Sequence, residues 1–327
     1  MSSLLIGLLG AVVATNPVVG VSNPVQQTNG LAARAPGPDD PVQREFKKLE
    51  EADDDAMAEV DGWIKENQEF AARGGGIPRG EMNQRIRKRL APVGEGYAAF
   101  IKLHPDHVKA RLAYASFLDD IGDEEGEVAQ LEKARELDPN DPAVWNNLAN
   151  YYGHTGELTN AFAYYEKAIA LDAQEPVYYH NFGTTVYLFR KDAREYFNLN
   201  EQQVFDKALD LYSHALRLDP TNFPLASDVS QTYYGIKPLR TNDALRSWTN
   251  TLSIAHDEIE REGVFIHLAR LKMSIGRFDE ARAHLNAVTN SVYDDLKTRL
   301  ARNLSEREKG SNQPGTATNQ VPVAPVE

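Results

Sequence analysis

Two consecutive windows of 34 residues, Val108–Asp141 and Pro142–Glu175, carry one pattern, and this self-similarity limits the fold more than any other feature. Both place glycine at position 15, Gly122 and Gly156. Both keep alanine at position 8 (Ala115, Ala149) and at position 27 (Ala134, Ala168). Positions 4, 7, 11 and 24 hold Arg111, Tyr114, Leu118 and Leu131 in the first window, and Trp145, Leu148, Tyr152 and Tyr165 in the second. Such spacing has a mechanical reason. Glycine permits a tight turn between two helices, small residues let the helices approach, and large ones fill the space between them. A single pair cannot bury its apolar face, so at least three pairs must stack.

These residues resemble the tetratricopeptide-repeat (TPR) family, whose pattern has Trp at 4, Leu-Gly at 7 and 8, Tyr at 11, Ala at 20, an aromatic at 24, Ala at 27 and Pro at 32. The second window, with Ala161 at position 20, departs only at its end, where Ala173 replaces proline. The first keeps Pro139 but has Glu127 at position 20. The resemblance implies an all-α, TPR-type α-solenoid: a right-handed superhelix of antiparallel helix pairs with flanking capping helices.

The pattern continues with interruptions. A third unit opens at Pro176 with Tyr179, Phe182-Gly183 and Val186, and its second helix arrives 13 residues late with Ala208, Tyr212, Ala215 and Pro220. Asn200 and Gln203 have capping-box spacing, so the added residues fall mainly at Arg190–Leu199. A fourth unit carries Ala226, Val229-Ser230, Tyr233, Ala244, Trp248 and Thr251; a fifth carries Phe265, Leu268-Ala269, Gly276, Ala281, Leu285 and Val288. Upstream, Tyr97, Phe100, Leu103 and Pro105 match the second half of a preceding unit. The expected organisation is a signal peptide or short anchor at 1–20, a disordered linker at 21–41, capping helices at 42–90, about five repeats at 91–300, the end of a C-terminal capping helix at 301–309 and a disordered tail at 310–327. The N-terminal cap includes a helix over 81–90 that carries Arg85, Arg87, Lys88 and Arg89.

Leu4–Ala14 is an uninterrupted apolar run of signal-peptide length, too short to cross a bilayer as a helix. Export to the periplasm or envelope is the reading preferred here, although no basic residue precedes the run. A short anchor or a misplaced start codon would account for the same residues, and without a working signal the protein stays in the cytoplasm. With a net charge of -13, the chain as a whole repels nucleic acid and anionic membranes. Cysteine is absent, which removes disulfides, thiolate metal sites and cysteine nucleophiles.

No motif points to catalysis. The acidic turn Asp119-Asp120-Ile121-Gly122-Asp123-Glu124-Glu125 lacks the alternating ligands of a calcium loop and reads as a solvated turn. His104 and His107 have no supporting carboxylate cluster. The basic run 85–89 is short, lies beside an acidic helix and lacks interleaved aromatics. No cofactor and no metal are expected.

The resemblance instead implies a protein or peptide partner, no nucleic acid, and membrane contact only through an N-terminal anchor. In TPR superhelices, positions 2, 5, 6, 9, 12 and 13 of the first helix tend to line the concave groove. Here they include Asn146, Asn147, Asn150, His180, Asn181, Thr184, Tyr187, Asp228 and Gln231. Amides both donate to and accept from a peptide backbone, so such a face suits an extended segment. The clamp that TPR domains build for a chaperone's terminal carboxylate is disfavoured: Asn147 matches, but Leu112, Ser116, Val177 and Asn181 stand where partners, some basic, are required. A second surface is expected where the pattern breaks, at Arg190, Lys191, Arg194, Tyr196 and Phe197 together with Lys237 and Arg240. The alternative there is that Tyr196 and Phe197 fold back onto the solenoid. The expected function is an interaction scaffold or adaptor. Its rivals are an envelope assembly factor acting by self-association and an enzyme using an atypical helical cleft, the latter marked by a carboxylate pair in the groove.

Overall fold

The computed structural model describes residues 40–71 and 73–311, and every regular element among them is helical. The Leu4–Ala14 run, most of the 21–41 linker and the tail beyond residue 311 lie outside the described residues. Contacts divide the chain into two units, with the boundary between Asp172 and Ala173.

The first unit opens with α1 (Pro41–Ala71) and α2 (Arg79–Leu103). Phe46, Ala56, Val60 and Ile64 recur along one face of α1, and meet Met82, Ile86, Leu90, Val93, Tyr97 and Phe100 of α2 in one core. The sequence outlines a helix over 81–90 and a separate half-repeat after it; the structure runs the two together, with Pro92 inside the helix. Proline removes one backbone donor and crowds the preceding turn. The uninterrupted apolar face from Met82 to Phe100 supplies the packing that outweighs that loss. Two residues of the basic run reach α1, the Arg85 guanidinium 3.7 Å from the Trp63 ring centre and Arg89 Nε 2.6 Å from Glu59, while Arg87 and Lys88 are exposed.

Two helix pairs follow, α3 (Val108–Ile121) with α4 (Glu124–Leu137), and α5 (Pro142–Thr155) with α6 (Leu158–Leu171). The expected glycine turns are present. Gly122 and Gly156 end α3 and α5 at φ 77° and 88°, a left-handed conformation that side-chain-bearing residues resist. Asp141 caps α5 by accepting from Ala143 N at 2.9 Å, and Asp123 caps α4 by accepting from Gly126 N at 2.9 Å. His107 Nδ1 accepts from Ala110 N at 3.0 Å, so this histidine caps a helix. Ala134, Ala149, Ala161 and Ala168 have no exposed area and Ala115 has 1%, as close helix contact requires.

Position 4 has a shared task that its changing residue type conceals. Arg111 donates from Nε and Nη2 to the Pro105 carbonyl at 3.0 and 2.7 Å. Trp145 Nε1 donates to the Pro139 carbonyl at 2.8 Å. In the second unit, the Tyr179 hydroxyl donates to the Ala173 carbonyl at 3.4 Å. Each satisfies a carbonyl six residues earlier, where the chain enters a new helix.

The second unit comprises α7 (Pro176–Leu188), α8 (Arg190–Phe197), α9 (Glu201–Leu218), α10 (Phe223–Thr232), α11 (Thr241–Ser253), α12 (Glu258–Ser274), α13 (Phe278–Asn286) and α14 (Asp294–Ser311). The pairs are α7 with α9, α10 with α11, and α12 with α13, while α14 packs beside α13. The capping box is formed as its spacing predicts: Asn200 Oδ1 accepts from Gln203 N at 3.0 Å, and Gln203 Oε1 accepts from Asn200 N at 2.9 Å. Ser230 and Thr251 occupy positions usually held by small apolar residues. They hydrogen-bond each other at 3.0 Å, and Thr251 also donates to the Ala226 carbonyl at 3.1 Å. A hydroxyl pair thus replaces a methyl contact without leaving a polar atom unpaired.

Candidate partner-binding faces

In the first unit, α5 carries the three asparagines of the expected face. Their roles differ. Asn146 is only 5% exposed and donates to Asn147 Oδ1 at 3.3 Å, so it supports the face from below. Asn147 is half-buried at the surface. Asn150 accepts from the Tyr165 hydroxyl at 2.6 Å, which ties α5 to α6. The sequence pattern placed all three alike because helical position 5 lies at the edge of the groove-facing arc; here it turns inward.

In the second unit, α7 and α10 bring the remaining residues together. His180 Nε2 lies 3.3 Å from Asp228 Oδ2, which links the two helices across the face. Thr184 accepts from the Tyr212 hydroxyl at 3.1 Å, and burial pushes that phenol up to about 12. Asn181 is half-buried beside them, while Gln231 is exposed and donates to Ser227 Oγ at 3.4 Å. Tyr187 abuts the turn after α10: a Cβ on Gly235 would lie 1.8 Å from its hydroxyl oxygen. The Tyr187 phenol is pushed up by burial, against the opposing Arg190 charge. Asp228 is the one carboxylate among these face residues.

The added residues form a helix, α8, rather than an open loop. Ala193 is fully buried, and Phe197 packs on Phe182 with ring centres 6.1 Å apart, under Lys207 Nζ at 4.1 Å. Tyr196 stays 36% exposed. Phe197 therefore folds back, whereas Tyr196 faces outward. Arg190 donates to the Tyr187 carbonyl at 2.7 Å and stacks over the Tyr187 ring at 5.2 Å. Lys191 and Arg194 are exposed and border an open depression of about 360 Å³ with Leu188, Phe189, Asp192 and Glu201. The second irregularity reaches the same region through α9. Gln202 donates to the Lys237 carbonyl at 2.8 Å, and Arg240 bonds Gln202 Oε1 at 3.0 Å and Asp206 at 2.5 Å. Arg240 is consequently spent on holding the turn, and Lys237 remains exposed.

Among the described residues no helix is long and apolar enough to cross a membrane, and no three His, Asp or Glu side chains are grouped to hold a metal ion.

The helix pairs with left-handed glycine turns define a class, repeat proteins of the TPR kind. Two tetratricopeptide-repeat family models match residues 96–142 and 142–175, so this stretch is built of tetratricopeptide repeats. It is 26% identical over 157 residues to the photosystem I assembly protein Ycf3 of Rippkaea orientalis, covering 45% of this chain and 89% of that one. Among solved structures it is similar to PilW, a type IV pilus biogenesis factor, at 13% identity and a TM-score of 0.51, covering 74% of this chain and 98% of the other. It is also similar to PilF of Pseudomonas aeruginosa at 19% identity and a TM-score of 0.46, over 62% and 87%. The likeness to PilW is one of fold, the α-solenoid built from TPR pairs.

Proposed function

We propose that the chain is a scaffold that binds an extended segment of a protein partner on the polar face shared by α7 and α10. A TPR-based role in protein interaction or assembly is supported by the repeats and by similarity to an assembly protein. The observation that carries the finer reading is the His180–Asp228 pair with Tyr187 and Gln231 beside it, a polar surface across two first helices. Groups of this kind recognise a main chain by hydrogen bonds while a rigid aromatic ring supplies contact area. A TPR fold is generally not catalytic, and we read this one as no enzyme. Export remains part of the proposal, supported by the Leu4–Ala14 run, and sequencing of the mature N-terminus tests it.

The binding proposal is tested by affinity capture from native cell extract with the wild type and with the double variant His180→Ala, Gln231→Ala. The expected result is a defined partner whose recovery falls about ten-fold, equivalent to ~1.4 kcal/mol, with helical circular dichroism retained. Unchanged recovery removes the groove reading.

A further inference from the structure

The register of the first helices continues beyond α10 onto α12. Counted along the repeat, His267 and Arg270 hold the positions on α12 that Asp228 and Gln231 hold on α10. Tyr234, in the turn after α10, joins the two helices: its hydroxyl lies 3.1 Å from His267 Nδ1 and 3.4 Å from the His267 carbonyl oxygen. The His267 ring stacks on Trp248 of α11, with centres 4.0 Å apart and planes inclined by 8°. The Arg270 guanidinium sits over the Tyr234 ring, 5.1 Å from its centre. Tyr234 precedes Gly235, the residue that the Tyr187 hydroxyl of α7 abuts, so this cluster adjoins the face shared by α7 and α10.

Arg270 differs from the other stacked or buttressing guanidiniums of this unit in having no acceptor. Arg190 lies over the Tyr187 ring but also donates to the Tyr187 carbonyl, and Arg240 bonds Gln202 and Asp206. Arg270 is half-buried, and among the described residues its side chain has no hydrogen bond and no ion pair. Among the described groups it is also the one charge that acts on Tyr234 and on His267. Burial, then the Arg270 charge, lowers the His267 imidazole to about 3, so this ring is neutral at neutral pH and adds no second cation. Burial raises the Tyr234 phenol, which stays neutral as well. In a chain with 48 acidic and 35 basic residues, Arg270 is therefore a local positive charge in a neutral aromatic setting, without a counter-charge. Its planar fork of N–H donors matches a carboxylate through two parallel hydrogen bonds, and partial burial strengthens such a pair relative to one in open water.

We propose that Arg270 receives the side-chain carboxylate of an Asp or Glu in the partner's extended segment, where that segment passes from α10 onto α12. The Tyr234 ring beneath the guanidinium holds the cation in place for it. The path of the segment rests on the reading of the α7–α10 face as a binding surface, whereas the carboxylate site is measurable without a partner.

The test uses the full chain and two end-blocked peptides carrying a neutral dye, hexa-glutamate and its uncharged isostere hexa-glutamine, in fluorescence anisotropy at low salt. Blocked ends remove the terminal carboxylate, so a difference between the peptides comes from side chains alone. Hexa-glutamate is expected to bind about ten-fold or more tightly than hexa-glutamine, against the repulsion of a net charge of -13. Arg270→Gln is expected to bring the two peptides within about two-fold of each other, with helical circular dichroism and melting temperature retained. Arg302→Gln removes an exposed cation of α14 and is expected to change hexa-glutamate affinity less than about two-fold. Should Arg270→Gln fail to fold, Arg270→Met takes its place with the same expectation. No preference for hexa-glutamate in the wild type, a preference that survives loss of the Arg270 charge, or an equal loss in the Arg302 variant overturns the proposal. Failure of the face reading shows separately, as unchanged partner recovery with the His180→Ala, Gln231→Ala variant while the peptide titration keeps its dependence on Arg270.

Discussion

Glu127, 7% exposed and beside the charges of Asp119, Glu124 and Asp120, gives a stability prediction of unusual sign: replacing a charged side chain is expected to strengthen the fold. In the unfolded chain this carboxyl titrates near 4.5, and in the folded protein at about 8. A raised carboxyl means that the folded state holds the proton more tightly. Its contribution is fully present below about pH 4.5 and is lost as pH rises through about 8. At pH 7 the penalty relative to acid is set by the 2.5-unit distance from 4.5, which corresponds to about 3 kcal/mol. That figure is a ceiling, because Asp119 and Asp120 share the repulsion and a proton placed on one relieves the others. Glu127→Gln keeps the volume and removes the charge, so a gain of about 1–3 kcal/mol at pH 7 is expected, shrinking toward zero near pH 4. Urea titrations of the wild type and variant between about pH 4 and pH 8 read this directly, with a melting shift of ~2–4 °C per kcal/mol. A variant less stable than the wild type at pH 7, or a difference that does not change with pH, refutes the reasoning.

Three further outcomes follow from the packing. Trp145→Phe keeps an aromatic ring but leaves the Pro139 carbonyl without its donor, and is expected to cost about 0.5–1.5 kcal/mol in urea titration. Gly235→Ala drives a methyl into the space held by the Tyr187 hydroxyl, with an expected loss of about 1–3 kcal/mol that Tyr187→Phe in the same background partly relieves. Ala168→Leu adds three carbons at a position with no exposed area between α5 and α6 and is expected to cost about 1–3 kcal/mol, read by thermal melting with circular dichroism.

Much of the fold was legible because its rules are local. The left-handed turns at Gly122 and Gly156, the Asp141 and Asp123 caps and the Asn200–Gln203 box each depend on a few neighbouring residues, and the structure contains all of them. The continuity of α2 was not legible, since Pro92 reads locally as a break and only the long face against α1 shows why the helix persists. Nor did the residue types at position 4 reveal that Arg111, Trp145 and Tyr179 serve one purpose, because the link lies in the acceptor six residues back. The candidate face was half legible. Asp228 and Gln231 of α10 are exposed, whereas His180, Asn181, Thr184 and Tyr187 of α7 are half-buried and Asn146, at the arc's edge, is buried by its neighbours. The acidic turn read as solvated, and exposed Asp123, Glu124 and Glu125 agree with that; Asp119 and Asp120 are half-buried, and Glu127, one turn further, is buried. Its signal was present as the alanine position it occupies.

The central claim is that a partner lies on the face shared by α7 and α10. Hydrogen–deuterium exchange of the full chain, alone and with its captured partner, tests it most directly. The account predicts added protection at α7 and α10, with α9 and α11 unchanged. Protection confined to α6, α9 and α11, or to α14, would contradict it.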